Sequence, residues 1–182
     1  MPRLFVALAD PDLGPELERA AREAVASLPG ARAVGRDARH VTLAFIGEVL
    51  ASRLPTIAEA CAEAAAGGRR THYVLDQIRG FPRSRARILA LTGETPPGLA
   101  DLAGRLAEQL LRRGVDVDRR PFHLHVTLAR LRESVEIPAV RVDPLRVMAE
   151  EIRLYESELL PTGARYHLRS AFPLPAGKSP DA

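Results

Sequence analysis

The sequence predicts an α+β protein with mixed or antiparallel sheets, built as two similar lobes sharing one body. Three observations predict it. Strand-like apolar runs alternate with amphipathic helical stretches along 182 residues. The five-residue word HVTLA occurs twice, at 40–44 and at 125–129. No Ser- or Gly-rich linker separates the two copies.

Each element follows from its local pattern. RLFVAL (3–8) is a nearly continuous apolar run and reads as a buried strand. DPDLGPELERAAREAVASLPG carries a helix start at Asp and Pro, a stripe through Leu17, Ala21 and Val25, and a Pro-Gly stop. ARAVGRDAR reads as a loop, and HVTLAFIG (40–47) as a strand closed by Gly47. SRLPTIAEACAEAAAGG is a second helix ended by two glycines. HYVLDQIRGF and ARILALTG are a strand pair joined by the turn PRSR. PPGLADLAGRLAEQLLRRG places Leu99, Leu102, Leu106 and Leu110 on one helical face. FHLHVTLARL is the second repeat strand, and LRVMAEEIRLYESEL and ARYHLRSAFPL give further strands around the turn PTG.

Composition excludes several classes. Hydrophobic residues at 46% and charged residues at 27% place the chain among globular proteins. No apolar run reaches the roughly 18 residues of a membrane span, and Pro2, Asp10 and Asp12 argue against a signal segment at the N-terminus. Cys61 is the single cysteine, so no internal disulfide framework exists. It reads as a buried structural thiol, and the expected location is the cytoplasm. Lys178 is the only lysine, and no G-x-x-x-x-G-K-[ST] occurs, which excludes a P-loop and makes lysyl-adenylate chemistry implausible. The net charge of +3 permits an anionic partner without demanding one.

The repeated word carries the chemistry. In a strand, His40 and Thr42 share one face while Val41 and Leu43 share the other, and His125 and Thr127 repeat the arrangement against Val126 and Leu128. Facing lobes bring two imidazoles and two hydroxyls to one cleft. One imidazole then removes a proton from the attacking oxygen, the other donates to the leaving oxygen, and the hydroxyls bond the non-bridging phosphate oxygens. Neither metal nor nucleotide is required. Histidine suits both roles because its pKa of about 6.5 lets one ring be neutral and another protonated. A lone histidine in a strand is usually a hydrogen-bonded core residue; two identical His-Thr pairs reverse that reading. His123 shares the face of His125, but two ligands at i and i+2 without a matching carboxylate are thin evidence for a metal. His72 and His167 belong to no constellation.

The forms HVTLAFIGEV and HVTLARL resemble the 2H phosphoesterase superfamily, specifically the RNA 2′,3′-cyclic phosphodiesterases historically called 2′-5′ RNA ligases. RLFVAL, GFPRSRARILAL and LYESELLPTGARYHL resemble further landmarks in the family's order, so the likeness runs from residue 3 to 174. The chain departs from the pattern at Leu124, where members commonly carry proline. The resemblance implies one bilobal domain over 1–174, with two antiparallel sheets backed by helices around a central groove, and a tail over 175–182 expected to be disordered. It implies hydrolysis of RNA 2′,3′-cyclic phosphate ends to 2′-phosphate without cofactor, with His40 as acid and His125 as base. Reversible 2′-5′ ligation is the same chemistry run backwards, and tRNA fragments are among the expected substrates. Within the sequence itself the acid and base assignments stay open. Arg130, which follows the second word as in family members, is expected to bind phosphate with Thr42 and Thr127; a lobe-bridging ion pair is the other reading. Arg83, Arg85 and Arg87 are expected to steer an RNA backbone. Phe81 and Tyr73 are either base-stacking or core residues. An RNA-end binding module without turnover is the alternative function. A monomer suffices, because both half-sites lie in one chain.

Overall fold

The structure, a computed structural model, describes residues 1–9, 11–118, 120–160 and 163–176. Among these residues, strands and long helices follow in the order β1 (Arg3–Leu8), α1 (Gly14–Ala26), β2 (Arg32–Ala33), β3 (Val41–Glu48), α2 (Leu54–Ala66), β4 (Thr71–Phe81), β5 (Ala86–Thr92), α3 (Pro97–Arg112), β6 (His125–Val135), β7 (Val140–Ala149), β8 (Glu151–Leu160) and β9 (Gly163–Pro173). Each helix has a proline in its first turn, where the missing N–H is not needed.

Two antiparallel sheets result. The first has the order β3-β1-β8-β9 and the second β2-β6-β5-β4-β7. They do not correspond to the two halves of the sequence. The first sheet joins the N-terminal strands β1 and β3 to the C-terminal hairpin β8–β9, and the second forms from the chain between β3 and β8 together with the short β2, which lies between β1 and β3. The reason is pairing: β1 presents its free edge to β8 in register, Arg3 against Ser157 through Leu8 against Ile152. LRVMAEEIRLYESEL is accordingly divided at Glu150, with β7 in the second sheet and β8 in the first. Part of the loop ARAVGRDAR is also ordered, since β2 pairs Arg32 with Arg130 and Ala33 with Ala129.

One continuous apolar core lies behind both sheets. The α3 stripe of Leu99, Leu102, Leu106 and Leu110 is buried as its spacing predicts. It packs on α2, where Ala60, Cys61 and Ala64 are fully buried. Small side chains there let the helices approach closely. Cys61 is a free, buried thiol. Within the expected tail, the Pro175 carbonyl accepts the Arg70 N–H at 3.0 Å, while 177–182 lie outside the described residues. Among the described residues, no helix is long and apolar enough to cross a membrane.

Candidate active site

A strand–helix–strand unit occurs once per sheet, as β1–α1–β3 and as β5–α3–β6, and each ends on a strand carrying the repeated word. Strand pairing explains the word's last letters. Val6 pairs with Ala44 and Ala7 with Thr42, which leaves Leu43 without an opposite residue. Leu89 pairs with Ala129 and Ala90 with Thr127, so Leu128 is passed over in the same way. A bulge of this kind breaks strict alternation. Leu43 with Ala44, and Leu128 with Ala129, are consecutive buried residues. The next residue in each copy, Phe45 or Arg130, then returns to the face of the histidine and threonine and is exposed. Strict alternation turns Arg130 away from the site; the bulge turns it back.

The two imidazoles are held alike. His40 Nδ1 donates to the Ala38 carbonyl at 3.0 Å, and His125 Nδ1 donates to the His123 carbonyl at 2.8 Å. A carbonyl only accepts, so Nδ1 carries the proton in both rings and each Nε2 is left with its lone pair. An aromatic ring backs each imidazole at 4.7 Å between centroids: Phe5, tilted, against His40, and Phe81, stacked, against His125. Tyr166 meets the His40 ring edge-on at 5.2 Å. A buried ion pair, Arg39 to Glu18 at 2.5 Å, fixes the backbone before His40 to helix α1.

Burial pushes the His40 imidazole down to about 4; the Ala38 carbonyl opposes this, and the His125 and Arg130 charges add to it. Burial also lowers His125, opposed by the His123 carbonyl and reinforced by the charges of His123 and Arg79. Both rings are therefore neutral in the free protein near neutral pH.

A groove of about 770 Å³ opens beside these residues, lined by Phe5, His40, Phe45 and Tyr166 of the first sheet and its approach, and by Thr127 and Arg130 of the second. The structure thus gathers His40, Thr127 and Arg130 on one groove, with the His125 charge close enough to act on His40. Thr42 and His125 do not line that groove; Thr42 lies one residue-pair along β3 beside Ala7. Arg130 forms no ion pair among the described residues, so the lobe-bridging reading has no partner there. Arg83, Arg85 and Arg87 are exposed around the β4–β5 turn. Tyr73 is a core residue at 2% exposure, and Phe81 backs His125. The exposed His123 ring contributes only an edge contact to Phe81. Among the described residues no group of three or more His, Cys, Asp or Glu side chains is placed to hold a metal ion.

The family model described as the 2′-5′ RNA ligase superfamily matches residues 9–159. The chain belongs to the 2′-5′ RNA ligase superfamily. Two similar members are both named RNA 2′,3′-cyclic phosphodiesterase: one from Escherichia coli K12 is 37% identical over 59% of this chain, and one from Geobacillus stearothermophilus is 31% identical over 87%. The chain spans 60% and 52% of the lengths of these two relatives. The superfamily fold is equally evident. A crystal structure of TT0787 from Thermus thermophilus superposes with a TM-score of 0.80 at 26% identity, covering 97% of this chain and 100% of that one. E. coli LigT complexed with 3′-AMP superposes with a TM-score of 0.74 at 30% identity, covering 96% and 99%.

Sequence reasoning missed Phe5, Tyr166 and the backbone carbonyls that orient the imidazoles. The rings carried a signal only as aromatic residues in the terminal strands, and their meeting at His40 depends on β1, β8 and β9 pairing.

Proposed function

We propose that this superfamily member hydrolyses 2′,3′-cyclic phosphate ends of RNA to 2′-phosphates, by acid–base catalysis between His40 and His125. The observation that carries the reading is the matched pair of Nδ1–carbonyl hydrogen bonds, which leaves each Nε2 free of the backbone, with His40 on the groove that holds Thr127 and Arg130 and His125 near enough for its charge to act on His40. The names of the relatives support the substrate class.

In this reading water attacks phosphorus in line with the 3′ oxygen. The new bond is water oxygen to phosphorus, and the bond broken is phosphorus to O3′. His125 Nε2 takes the water proton and His40 Nε2 gives a proton to O3′, which yields a 2′-phosphate and a free 3′-hydroxyl. Arg130 and the hydroxyls of Thr42 and Thr127 hold the non-bridging oxygens as negative charge builds on them. Because both rings are neutral in the free protein, the acid gains its proton with the anionic substrate, whose charge counters the burial that depresses His40. With an RNA 5′-hydroxyl in place of water, the same groups form the bond from O5′ to phosphorus and break the bond from phosphorus to O3′, which gives a 2′-5′ junction and a free 3′-hydroxyl without ATP. Every group in the scheme comes from one chain, so a monomer is sufficient.

The test is turnover of a 2′,3′-cyclic phosphate oligonucleotide in excess EDTA. Activity is expected to survive the chelator and to fall at least about 100-fold in both His40→Ala and His125→Ala. Sensitivity to EDTA, or retained activity in either variant, overturns the mechanism. Tight binding without turnover in the parent protein identifies an RNA-end binding module instead.

A further inference from the structure

The two sheets carry a second internal repeat, less visible than HVTLA. Residues 77–81 read QIRGF in β4, and residues 151–155 read EIRLY in β8. Strand pairing makes the two segments equivalent. Arg79 pairs with Ala90, which pairs with Thr127; Arg153 pairs with Ala7, which pairs with Thr42. Directly paired residues share a face. Each sheet therefore has a row of motif threonine, alanine and arginine on its catalytic face. Gln77 and Phe81 stand in the second sheet where Glu151 and Tyr155 stand in the first.

These exchanges give the two arginines opposite electrostatic settings. Arg153 lies against the Glu151 carboxylate at 2.5–2.6 Å, and its Nη1 donates to the Tyr155 hydroxyl at 3.5 Å. Its charge is offset where it sits. At the positions equivalent to Glu151 and Tyr155, Arg79 has the amide Gln77 and the bare phenyl ring of Phe81 instead. Its Nε donates to the Thr92 hydroxyl at 3.2 Å, and its guanidinium carbon lies 6.0 Å from the centre of the Phe81 ring that stacks on His125. Its Nη1 is buried without a hydrogen-bond partner among the described residues. The charge acting on it is a further cation, Arg83. A buried guanidinium nitrogen left in this state is costly, and such a group calls for an explanation.

We propose that Arg79 is a positioning residue for the reaction: its uncompensated charge, held behind Phe81, makes the His125 wall the one against which the substrate's phosphate anion seats. The inference rests on the phosphoesterase reading above. Arg130 stands on the same wall, at the position where the first sheet has Phe45, so in the paired rows around the histidines the second sheet sets two arginines without a carboxylate partner among the described residues where the first sets a neutralised arginine and a phenyl ring. The charged groups acting on His125 are His123 just before its own strand and Arg79 on β4, with Arg83 behind it; His40 faces it across the groove and itself feels the charges of His125 and of Arg130, which lies on β6 with His125. Among the described residues no carboxylate acts on His125, so a bound anion is what offsets these cations.

Inorganic phosphate is the probe, measured by calorimetric titration of the full chain, and the His125 ring is followed by NMR over pH. Arg79→Gln is expected to weaken phosphate binding about tenfold, the scale of one partly screened charge a few ångströms beyond contact. It is also expected to raise the His125 titration midpoint. Arg79→Lys keeps the charge and is expected to hold both within about threefold of the parent. Gln77→Glu installs the carboxylate of the other sheet, keeps Arg79 in place, and is expected to reproduce both effects of Arg79→Gln. Unchanged phosphate affinity and His125 titration in folded Arg79→Gln or Gln77→Glu overturn the proposal. If Arg79→Gln does not fold, Gln77→Glu with Arg79→Lys decides it. Phosphate binding needs no turnover, so loss of the cyclic-phosphate reading and loss of this one are separate results.

Discussion

The wall formed by β3, β1 and β8 and the wall formed by β6, β5 and β4 share pairing, bulge position and burial pattern along the repeated word, yet differ in charge and surface. Around His40 the first wall is aromatic, with Phe5 in ring contact with both Tyr155 and Tyr166 and Phe45 exposed at 54% beside them. Around His125 the second wall has one backing ring and carries Arg79 and Arg130. Duplicated backbone geometry gives two equivalent imidazole cradles. Side chains that the geometry leaves free to vary surround one imidazole with several rings and set Arg79 and Arg130 in the rows around the other. Two groups of the same kind can then take different roles, because their surroundings differ rather than their orientation.

Exchanging the character of the walls is the strongest way to break the comparison. Arg130→Gln is expected to lower kcat/KM on a 2′,3′-cyclic phosphate substrate by roughly 100-fold, since it removes a charge-assisted donor where negative charge develops. Phe45→Leu, at the equivalent position of the first sheet, is expected to cost under about fivefold, because no charge is lost. Equal losses in steady-state assays on the two variants would mean that the walls are not divided in this way.

A smaller effect appears in stability. The folded pKa of His40 lies near 4, below the value of about 6.5 expected when unfolded. The unfolded chain thus binds the proton more readily between those values. The contribution is present above pH 6.5 and is lost as pH falls toward 4, at up to about 1.4 kcal/mol per pH unit. His125 acts in the same direction. Urea unfolding at pH 7 and pH 4.5 should show a shallower loss in His40→Gln than in the parent; an identical loss assigns the acid lability elsewhere.

Smallest of all, Cys61 should leave both walls untouched. Burial pushes its thiol up to about 12, so a thiol reagent is expected to label it only after unfolding, with activity unchanged beforehand. Rapid labelling of the folded protein contradicts this packing.

Much of this was legible in the sequence where a local pattern decides. Helix α3 follows from four leucines at helical spacing. The two histidines stand out because an identical word recurs with both hydroxyls intact. Arg130 was reached by resemblance, while the bulge that turns it toward the groove depends on β1 and β5 as partners. The division of the sheets was not legible, since β7 and β8 run on with only Glu150 between them and their partners lie far away in the chain. QIRGF and EIRLY share two letters, and equivalence appears only once register is known. Gly80 obscures it further: a methyl there would lie 2.6 Å from Ala86, whereas Leu154 has room at the corresponding place.

All of the second sheet except the short β2 is one excursion from the first. The chain leaves at Arg70 and returns at Glu150, and both points meet the end of β9: the Arg70 N–H donates to Pro175, the Leu174 N–H donates to Glu150, and Arg70 and Glu150 pair at 3.3 Å. Thr71 and Ala149 then pair as the excursion begins and ends. The imidazoles thus ride on two sheets tied by the β2–β6 pairing, by the common core and by this seam, whose thread is the C-terminal strand. Shortening the chain before Leu174 would loosen the β4 and β7 end of the second sheet, while β2 and the core still hold β6 with His125 and Arg130.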